Sequence, residues 1–414
     1  MSTSPAPATP AAHPPAVPLW LIVVCGCLIA AINFGPRSAM GFYQTPIINA
    51  HGWGRETFSL AMAWQNLLWG VGAMVFGGLA DRFGTAKTLS IGAALYALGI
   101  LAMRWAETPA AFHLAGVVVG LGVAGSAFGI VMAAFGRAVA PERRTFVFGL
   151  ATAAGSFGQF FYSPVTQGLI EAYGWQDSLT ILAATMAAVP LLAIPLRGRP
   201  PARMTHGHDQ SIGEALREAL GHKSYLLLVA GFFVCGFQVA FITTHFPAYL
   251  RDLGLEPKWG VVSLMLIGLF NIVGSLGSGI LGMRLPKRWI LSVIYFARSV
   301  VFVLFLMAPA SPLSVVLFAA TMGVLWLSTV PPTNALVAVM FGTRYLALLG
   351  GLVFFSHQIG SFIGVWLGGR LYDLNGSYDP VWWMGVALGI FAGLVHLPIR
   401  EVAVDRSLET RPAE

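Results

Sequence analysis

The sequence predicts an all-α polytopic membrane protein whose twelve transmembrane helices form two pseudo-symmetric six-helix bundles. Three observations lead to this prediction: an apolar composition, twelve long apolar runs and an internal repeat. Of the 414 residues, 57% are apolar and only 10% are charged, whereas soluble domains carry about 25% charged residues. A spanning helix needs about 20 mostly apolar residues. The runs that reach such a length are 18–48, 57–81, 88–106, 110–138, 145–172, 177–197, 224–250, 259–283, 289–309, 312–340, 345–371 and 380–399.

A hydrophilic segment at residues 198–223 divides these runs six and six. We therefore expect one bundle at 18–197, a cytoplasmic central loop at 198–223 and a second bundle at 224–399. Residues 1–17 and 400–414 are expected to be cytoplasmic tails, the first of them disordered. In the central loop, IGEALREAL predicts a short surface helix, and His206 and His208 are better interpreted as solvated side chains than as metal ligands. No cofactor is expected.

The basic residues are distributed asymmetrically between the two sides of the predicted bundle. With both termini inside, seventeen Lys and Arg residues fall in inner segments and five in outer ones, while Arg37 and Arg298 lie within spans. Cytoplasmic loops carry such an excess of Lys and Arg. The net charge of +7 is then a consequence of topology, and nucleic acid is not expected as a partner. We expect a monomer in the cell inner (plasma) membrane, surrounded by lipid.

A shift of the sequence by 202 residues reveals an internal repeat. The positions that become identical in one segment are Gly149/Gly351, Leu150/Leu352, Gly158/Gly360, Phe160/Phe362, Leu169/Leu371, Gly174/Gly376 and Asp177/Asp379. A second segment obeys the same shift, at Gly72/Gly274, Gly77/Gly279, Leu79/Leu281 and Arg82/Arg284. Repeated halves of this kind build transporters with a substrate cavity near the bilayer midplane.

The motifs that match other kinds of function lie in surroundings that do not fit those functions. GLGVAG at 120–125 fits a dinucleotide-binding fingerprint, but it lies inside an apolar span where no strand precedes it. Together with Gly116 it is better interpreted as a close-packing face between helices. The sequence contains no phosphate-binding loop or nucleophile elbow, so an enzyme is not expected. The tails and the central loop are too short for the output domain of a sensor.

GGLADRFGTAK at 77–87 resembles the cytoplasmic loop signature of the major facilitator superfamily. In that family the acid and bases of this loop form a charge network that holds the inward gate shut, which gives Asp81, Arg82 and Lys87 a gating role. The usual basic pair is replaced by Thr85 and Ala86. The second copy, GILGMRLPKR at 279–288, keeps its bases and has lost the acid.

Two further segments narrow the resemblance. RRTFVFGLATAAGS at 143–156, followed by Pro164 and Gly174-Trp175, is similar to the region from helix four to helix six of the monocarboxylate transporters. FGTRYLALLGGLVFFSHQ at 341–358, preceded by PPTN, resembles helices ten and eleven of the oxalate/formate antiporters. The resemblance implies the major facilitator fold and secondary transport of organic anions.

Arg37 is the first candidate for binding such an anion. All seventeen acidic residues fall in loops or at span ends by these boundaries, so Arg37 has no counter-ion within the spans. An ionisable side chain in the bilayer faces a cavity or a partner, and a guanidinium matches a carboxylate bidentately. Pro36-Arg37-Ser38 lies where the monocarboxylate transporters carry P-K-S, whose lysine binds substrate. The alternative is an arginine that snorkels to the interface or caps helix carbonyls.

His357 is the second candidate, since it aligns with the lysine that oxalate transporters use to hold a carboxylate. A histidine there could bind an anion when protonated and release it when neutral, or it could be a neutral hydrogen-bonding residue. The helix-eight Asp and Arg of the monocarboxylate transporters are replaced by Asn271 and Ser275. Their proton-and-carboxylate site therefore cannot simply be transferred to this chain.

Further polar and aromatic positions complete the prediction. Substrate-binding candidates of second rank are Asn271, Tyr43 and Gln358. Two interpretations, cavity lining or interior contacts between helices, stay open for Gln238, His245, Trp326 and Asn334. Arg298 is interpreted as structural. We expect a transporter of a small organic anion, specifically a monocarboxylate, with H⁺ as a possible coupling ion. The alternative is an exporter of a drug or hydrophobic metabolite.

Overall fold

The computed structural model describes residues 17–139, 141–198, 211–342 and 345–404, and of residues 141–146 the backbone only. The predicted tail before residue 17, His206 and His208 of the central loop, and Arg344 lie outside these ranges. The helices in chain order are α1 Leu19–Ala39, α2 Gln44–His51, α3 Arg55–Phe83, α4 Thr85–Arg104, α5 Pro109–Gly125, α6 Phe128–Ala138, α7 Pro141–Thr185, α8 Ala188–Leu192, α9 Ile212–Gly221, α10 Lys223–Asp252, α11 Lys258–Gly282, α12 Lys287–Met307, α13 Pro312–Leu325, α14 Val330–Phe341, α15 Leu346–Asn375 and α16 Asp379–His396.

These helices form long apolar rods. Ten rods in the described ranges are long and apolar enough to cross a membrane, and three of them consist of two helices in line: α1 with α2, α5 with α6, and α13 with α14. The long helix α7 turns at Gly174, whose φ of 77° is not helical. Its two arms, the second continued by α8, agree with the predicted fifth and sixth spans. The all-α membrane architecture is confirmed.

The rods pack into two bundles, each around its own core. One core gathers mainly residues from α1 to α8 around Tyr96, Val119 and Phe135, and the other gathers mainly residues from α9 to α16 around Tyr295, Trp326 and Trp382. Each core also includes two buried residues from the other half. The short surface helix predicted for IGEALREAL is present as α9, which buries Ala215 and Ala219. It begins with a capping box in which Ser211 and Glu214 exchange hydrogen bonds, and these bonds lower the pKa of the exposed Glu214 carboxyl.

Backbone geometry follows the 202-residue repeat. Gly174 and Gly376, paired by the shift, both have positive φ, at 77° and 69°. The shift also pairs Gly52 with Gly254, whose φ values are 66° and 81°. Left-handed backbone favours glycine because the Cβ of any other residue would crowd the backbone there. Glycines with positive φ thus recur at two pairs of corresponding positions, which supports a duplicated bundle.

One broken rod of the first half corresponds by the repeat to a broken rod of the second half. The α5–α6 rod resumes at Phe128 and the α13–α14 rod at Val330, again 202 residues apart. In the first half, Asn33 donates hydrogen bonds to the Val123 carbonyl (3.2 Å) and to Ser126 Oγ (2.7 Å) beside the break. Since a helix break frees carbonyls that a membrane cannot solvate, a neighbouring side chain must satisfy them.

Close packing between helices accounts for the glycines of GLGVAG, as predicted. A Cβ added at Gly116 or Gly120 would overlap the backbone carbonyls of Ala61 or Gln65 on α3. Small residues let transmembrane helices approach closely in this way. The motif therefore holds α5 against α3, the helix that carries several residues of the site described below.

Candidate functional site

The ten rods and the two arms of α7 are even in number, so the start of α1 at Leu19 and the end of α16 at His396 lie on one face of the molecule. We call this face the terminal face and the opposite face the distal face. At the distal face the two bundles are joined by ion pairs. Arg55 at the start of α3 makes a bidentate pair with Asp252 at the end of α10, with N–O distances of 2.6 and 2.7 Å. Glu56 accepts from Arg370 (3.0 Å) and from Trp366 Nε1 (3.1 Å).

Helix α3 has its N-terminus capped by the other bundle. Asp373 of α15 accepts hydrogen bonds from the backbone N–H groups of Arg55 (2.9 Å) and Glu56 (2.8 Å). The first N–H groups of a helix lack partners within it and carry partial positive charge, so a carboxylate is well placed there. We call Arg55, Glu56, Asp252, Arg370 and Asp373 the distal latch.

A buried hydrogen-bond network lies under the distal latch. His245 Nδ1 is 3.2 Å from Gln44 Nε2 and 3.1 Å from the Tyr378 hydroxyl, and its Nε2 is 2.9 Å from the Val365 carbonyl. Gln44 belongs to the first bundle and the other residues to the second. Of the two interpretations of His245, the structure favours interior contacts between helices, because both of its ring nitrogens have partners in this network.

Towards the terminal face the described residues make fewer polar contacts between the bundles. Between the described residues, every ion pair across the bundles lies in the distal latch. The hydrogen bond across the bundles nearest the terminal face joins Ser156 to Asn271 near mid-height. Asp81, Arg82 and Lys87 lie exposed at the terminal face. Among the described residues, the polar contacts between the bundles are thus concentrated at the distal face.

Arg37 lies between the bundles, near the middle of the molecule. Its Nη2 donates to Asn66 Oδ1 at 2.5 Å, and its guanidinium carbon is 4.4 Å from the centre of the Trp69 ring. No carboxylate of the described ranges pairs with it. Its Nε is buried without a hydrogen-bond partner among these residues. Arg37 is thus a charged side chain with one buried N–H group that has no acceptor in the described ranges.

A small cavity of about 10 Å³ lies against Arg37, with room for about one water molecule. Its walls come from α1 and α3 of the first bundle and from α10 of the second, which contributes Thr243 and Thr244. The Gln65 carbonyl oxygen Oε1 beside it is also buried and unpaired in the described part of the chain. The cavity lies between the bundles, and both polar and apolar groups line it.

Gln358 approaches this region from α15. It is fully buried, and neither its amide nitrogen nor its amide oxygen has a partner among the described residues. Its Cβ packs on Gly70, where an added Cβ would come within 2.9 Å of it. Because Asn66 and Gly70 are one helical turn apart on α3, they lie on the same face. The Gln358 amide is therefore a second set of polar atoms without partners in the described ranges, and its side chain packs on the face of α3 that carries Asn66.

His357 turns away from Arg37. Its ring is buried beside Phe232 (5.1 Å between ring centres) and stacks on Phe354 (5.9 Å), and its Nδ1 is 3.4 Å from Ser361 Oγ. Phe354 in turn meets Trp69 edge-on at 5.1 Å. Two aromatic rings thus separate the predicted cations, and in this state they do not converge on one cavity.

The remaining second-rank candidates are engaged elsewhere. Asn271 donates to Ser156 Oγ (2.8 Å) and accepts from the Leu327 N–H (3.0 Å), so it links the bundles and supports the broken helix. The Tyr43 hydroxyl shares a 2.5 Å hydrogen bond with Ser178 inside the first bundle. Both stay predictions as substrate ligands, and neither has free polar atoms pointing into the cavity here.

Arg298 lies inside the second bundle, fully buried. Its guanidinium donates to the carbonyls of Leu325 (2.7 Å) and Trp326 at the end of α13 and to Gln238 Oε1 (3.3 Å). The expected structural role agrees with these contacts. Gln238 and Trp326 belong to the same cluster rather than to the cavity, and Asn334 is exposed.

Sequence reasoning missed the α3 side of the site and the whole distal latch. Gln65, Asn66 and Trp69 lie on a helix whose polar residues carry no motif. The latch residues were assigned to outer loops or to span ends, and acids and bases of opposite bundles were not paired with each other. The signal available was the clustering of both charge signs at the outer ends of the second, seventh and eleventh spans.

A duplicated helical bundle with an unpaired charge between its halves and a seal at one face has the architecture of an alternating-access carrier. The model of the Major Facilitator Superfamily matches residues 22–365. The chain belongs to this superfamily of transporters and is a multi-pass membrane protein.

The resemblance to the monocarboxylate transporters is also confirmed. Monocarboxylate transporter 13 of Rattus norvegicus is 25% identical over 375 residues, which cover 87% of this chain and 83% of that protein. An uncharacterised MFS-type transporter of Bacillus subtilis, YcxA, is 24% identical over 368 residues, with 87% and 90% covered.

Solved structures agree with the fold. A D-xylose-proton symporter superposes with a TM-score of 0.73 at 14% identity, covering 92% of this chain and 97% of that one. A bacterial homologue of the human lysosomal transporter Spinster, in an inward-facing and unoccupied conformation, gives a TM-score of 0.70 at 15% identity, with 94% and 96% covered. At such identities the likeness concerns the fold alone.

Proposed function

We propose that this carrier moves a small organic anion, specifically a monocarboxylate, by rocking one bundle against the other. The observation that carries the proposal is Arg37, a cation between the bundles with no carboxylate partner in the described ranges and an unused buried N–H. Similarity to monocarboxylate transporters, which in their own case are named for that substrate class, supports it.

Arg37 would supply the charge that brings the anion out of water. A buried cation at mid-membrane costs at least about 2.5–3.5 kcal/mol, and a bound carboxylate would offset that cost by pairing with the guanidinium. Asn66 accepts from Nη2 at one edge of the guanidinium, and the Trp69 ring lies close to the same group. The anion would take the Nε side, with the Gln358 amide donating a further hydrogen bond.

The sidedness of the cycle follows if both termini are cytoplasmic. The sealed distal face is then extracellular, and the molecule is in an inward-facing state. In the opposite state the terminal face must close, and Asp81, Arg82 and Lys87 lie at the end of α3 and the start of α4 where they would make the closing contacts. This assigns Asp81, Arg82 and Lys87 to the inner gate and the distal latch to the outer gate.

The test is carboxylate binding and flux by purified Arg37→Gln protein. A hydrogen bond to a charged group contributes about 1.5–3 kcal/mol, so affinity for the best carboxylate of a thermal-shift panel should fall on the order of 10- to 100-fold. Arg37→Lys should retain part of it, because the charge remains without the fork. Counterflow in proteoliposomes should fall in parallel.

The matched control is Arg104→Gln, which removes an arginine of the same bundle that pairs with Asp177 far from the cavity. Arg104→Gln should bind and transport as the unmodified protein does. If Arg37→Gln and Arg104→Gln kept equal carboxylate affinity, Arg37 would be an interfacial anchor and the proposal would be wrong.

Proton coupling is proposed to involve His357. Its ring is buried behind Phe354, so its protonated form would need an anion or a rearranged neighbour for stabilisation. Carboxylate counterflow should therefore depend on pH in the unmodified protein and lose that dependence in His357→Gln. Retention of the full pH dependence in that variant, with His396→Gln as the control for a buried histidine far from the cavity, would exclude the role.

One observation favours the alternative of a drug or hydrophobic metabolite exporter. Aromatic pairs cross between the bundles on α3 and α15, namely Trp64 with Phe362 (5.3 Å) and Trp69 with Phe354 (5.1 Å). Such rings suit an apolar cargo. Binding of neutral or cationic aromatic compounds by a protein that ignores every carboxylate of the panel would favour this function.

A further inference from the structure

A second cavity opens at the terminal face of the C-terminal bundle, away from the site between the bundles. Its walls are residues 283–288, which join α11 to α12, and residues 400–402, which follow α16. Its volume of about 530 Å³ is within the roughly 300–1,000 Å³ typical of ligand pockets. We call it the basic cleft, because of the charges described next.

Four cations line the basic cleft against one carboxylate. The cations are Arg284, Lys287, Arg288 and Arg400, and the carboxylate is Glu401. Glu401 is already engaged: it accepts from the Arg288 backbone N–H at 2.8 Å and lies 3.7 Å from Lys287 Nζ. In the described ranges, Arg284 and Arg400 have no ion-pair partner, and both are exposed. The cleft therefore has unneutralised positive charge.

An apolar rim surrounds these charges. Met283 is 77% exposed, Leu285 48% and Trp289 49%, and Val402 on the facing segment is 59% exposed. Trp289 lies in the first turn of α12, where the apolar rod begins. Tryptophan is enriched where membrane meets water, so this level of the molecule is the interface. Cationic groups with adjoining apolar surface fit an amphiphile better than a simple ion.

The internal repeat explains why the surplus charge exists on this side only. The 202-residue shift pairs Met283 with Asp81, so the first bundle carries an acid in this loop and the second carries an exposed thioether. Asp81 acts electrostatically on the nearby Arg137. In the second bundle the bases Arg284 and Lys287 remain, and the acid of their own loop is gone.

We propose that the basic cleft binds the phosphate headgroup of an anionic membrane lipid. Arg284 and Arg400 would hold the phosphate oxygens, since guanidinium groups form charge-assisted, bidentate hydrogen bonds with phosphate. The acyl chains would run along Leu285 and Trp289 into the bilayer. Basic pockets at the cytoplasmic ends of transmembrane helices recognise acidic lipids by this chemistry. The proposal is independent of the transported solute.

The experiment compares lipid retention by native mass spectrometry of the full-length protein. Phosphatidylglycerol should remain bound in preference to phosphatidylcholine of the same chain length. The double variant Arg284→Gln/Arg400→Gln should retain at least about tenfold less phosphatidylglycerol, because each basic side chain near the surface adds to the attraction for an anionic lipid. Arg217→Gln/Lys223→Gln removes two charges from the same face outside the cleft and is the matched control, expected to retain the lipid.

Further measurements distinguish a bound lipid from a bound inorganic anion and from a loss of folding. Thermal unfolding of the variants checks that the bundle is folded. If the double variant is not folded, the single variant Arg284→Gln replaces it in the lipid-retention measurement. Equal retention of phosphatidylglycerol and phosphatidylcholine, or equal losses in the control variant, would overturn the proposal. Full displacement of phosphatidylglycerol by millimolar inorganic phosphate would also overturn it, since a phosphate-anion site gains nothing from acyl chains.

Discussion

At the scale of single residues, the informative feature is which buried polar atoms have partners. Native proteins pair nearly all such atoms, and an unpaired one needs a physical reason. Arg298 has no acid beside it, yet its guanidinium is used by carbonyls and by Gln238. Arg37 and Gln358 differ because some of their donors and acceptors have no protein partner in the described ranges. Together with the position of Arg37 between the bundles, this difference is the reason that we propose the site there.

Gln358 yields a prediction with opposite signs for stability and function. An unsatisfied buried polar group costs about 1–3 kcal/mol, and leucine has a similar size. Gln358→Leu should therefore unfold at the same or a higher temperature than the unmodified protein, while its affinity for the carboxylate falls. The measurements are thermal unfolding with and without substrate.

Gln238→Leu is the matched control for this prediction. Gln238 Nε2 donates to the Gly385 carbonyl at 2.8 Å, and its oxygen accepts from Arg298. Its replacement should lower the free energy of unfolding by about 1–3 kcal/mol and change affinity little. A Gln358→Leu protein as unstable as Gln238→Leu would mean that the Gln358 amide is paired in the empty carrier.

The sequence was sufficient to find Arg37, because an arginine among apolar residues without acids is visible in one dimension. It was not sufficient to find Gln65, Asn66 and Trp69. Their relation to Arg37 depends on how α3 is placed relative to α1 by the packing of the whole bundle, and helix packing depends on surfaces rather than on local pattern. His357 illustrates the opposite case: its position on the helix was predicted, and its direction, away from Arg37, was not.

At the scale of secondary structure, the broken helices are the feature that the apolar runs concealed. The run 312–340 was predicted as one span, and the structure divides it into α13 and α14 at Trp326. The run contains no charge to mark the break. Pro331 and Pro332 follow it, and a proline in the first turn is compatible with a helix that starts anew. Arg298 then satisfies the carbonyls that the break frees.

Replacement of Arg298 should destabilise the second bundle. Arg298→Met relieves a buried charge but leaves the carbonyls of Leu325 and Trp326 and the oxygen of Gln238 without that donor. At about 1–3 kcal/mol for each unsatisfied group, the loss outweighs the relief. We expect about 3 kcal/mol lower free energy of unfolding, together with faster amide hydrogen exchange at residues 326–330.

Arg298→Lys and Arg104→Met complete this experiment. Lysine keeps the charge and can reach fewer of the three acceptors at once, so its effect should be intermediate. Arg104 is partly exposed and lies at the distal end of α4, and its replacement should change stability by less than about 1 kcal/mol. Unchanged hydrogen exchange around residue 326 in Arg298→Met would show that the carbonyls have other donors.

At the scale of the whole molecule, duplication explains the symmetry of the two halves, and later divergence in charge explains where that symmetry is lost. The repeat was visible in the sequence, and corresponding turns and breaks occur at corresponding positions. The halves have since diverged in charge, at Met283 against Asp81 and at the distal latch. What holds the halves in one state is therefore a set of particular ion pairs, which no pattern of apolar residues specifies.

The distal latch should control the equilibrium between the two open states. The Arg55–Asp252 pair is bidentate and partly buried, with side-chain exposures of 13% and 30%. Its hydrogen bonds exist only when the distal face is closed, so their loss destabilises that state alone. At about 1.5 kcal/mol, Asp252→Asn should raise the ratio of distal-open to distal-closed molecules by roughly tenfold.

Spin-label distances across the distal face would measure this shift. Labels at Glu107→Cys and Ala310→Cys report on the two bundles at positions that are exposed; the protein without these cysteines corrects for labelling of Cys27. Asp252→Asn should increase the long-distance fraction. Asp177→Asn breaks an ion pair of comparable length at the same face, Arg104–Asp177 (2.9 Å), but within one bundle, so it should leave the distribution unchanged. Because only contacts between bundles differ in free energy between the two states, equal shifts in both variants would mean that surface charge, rather than the latch, sets the equilibrium.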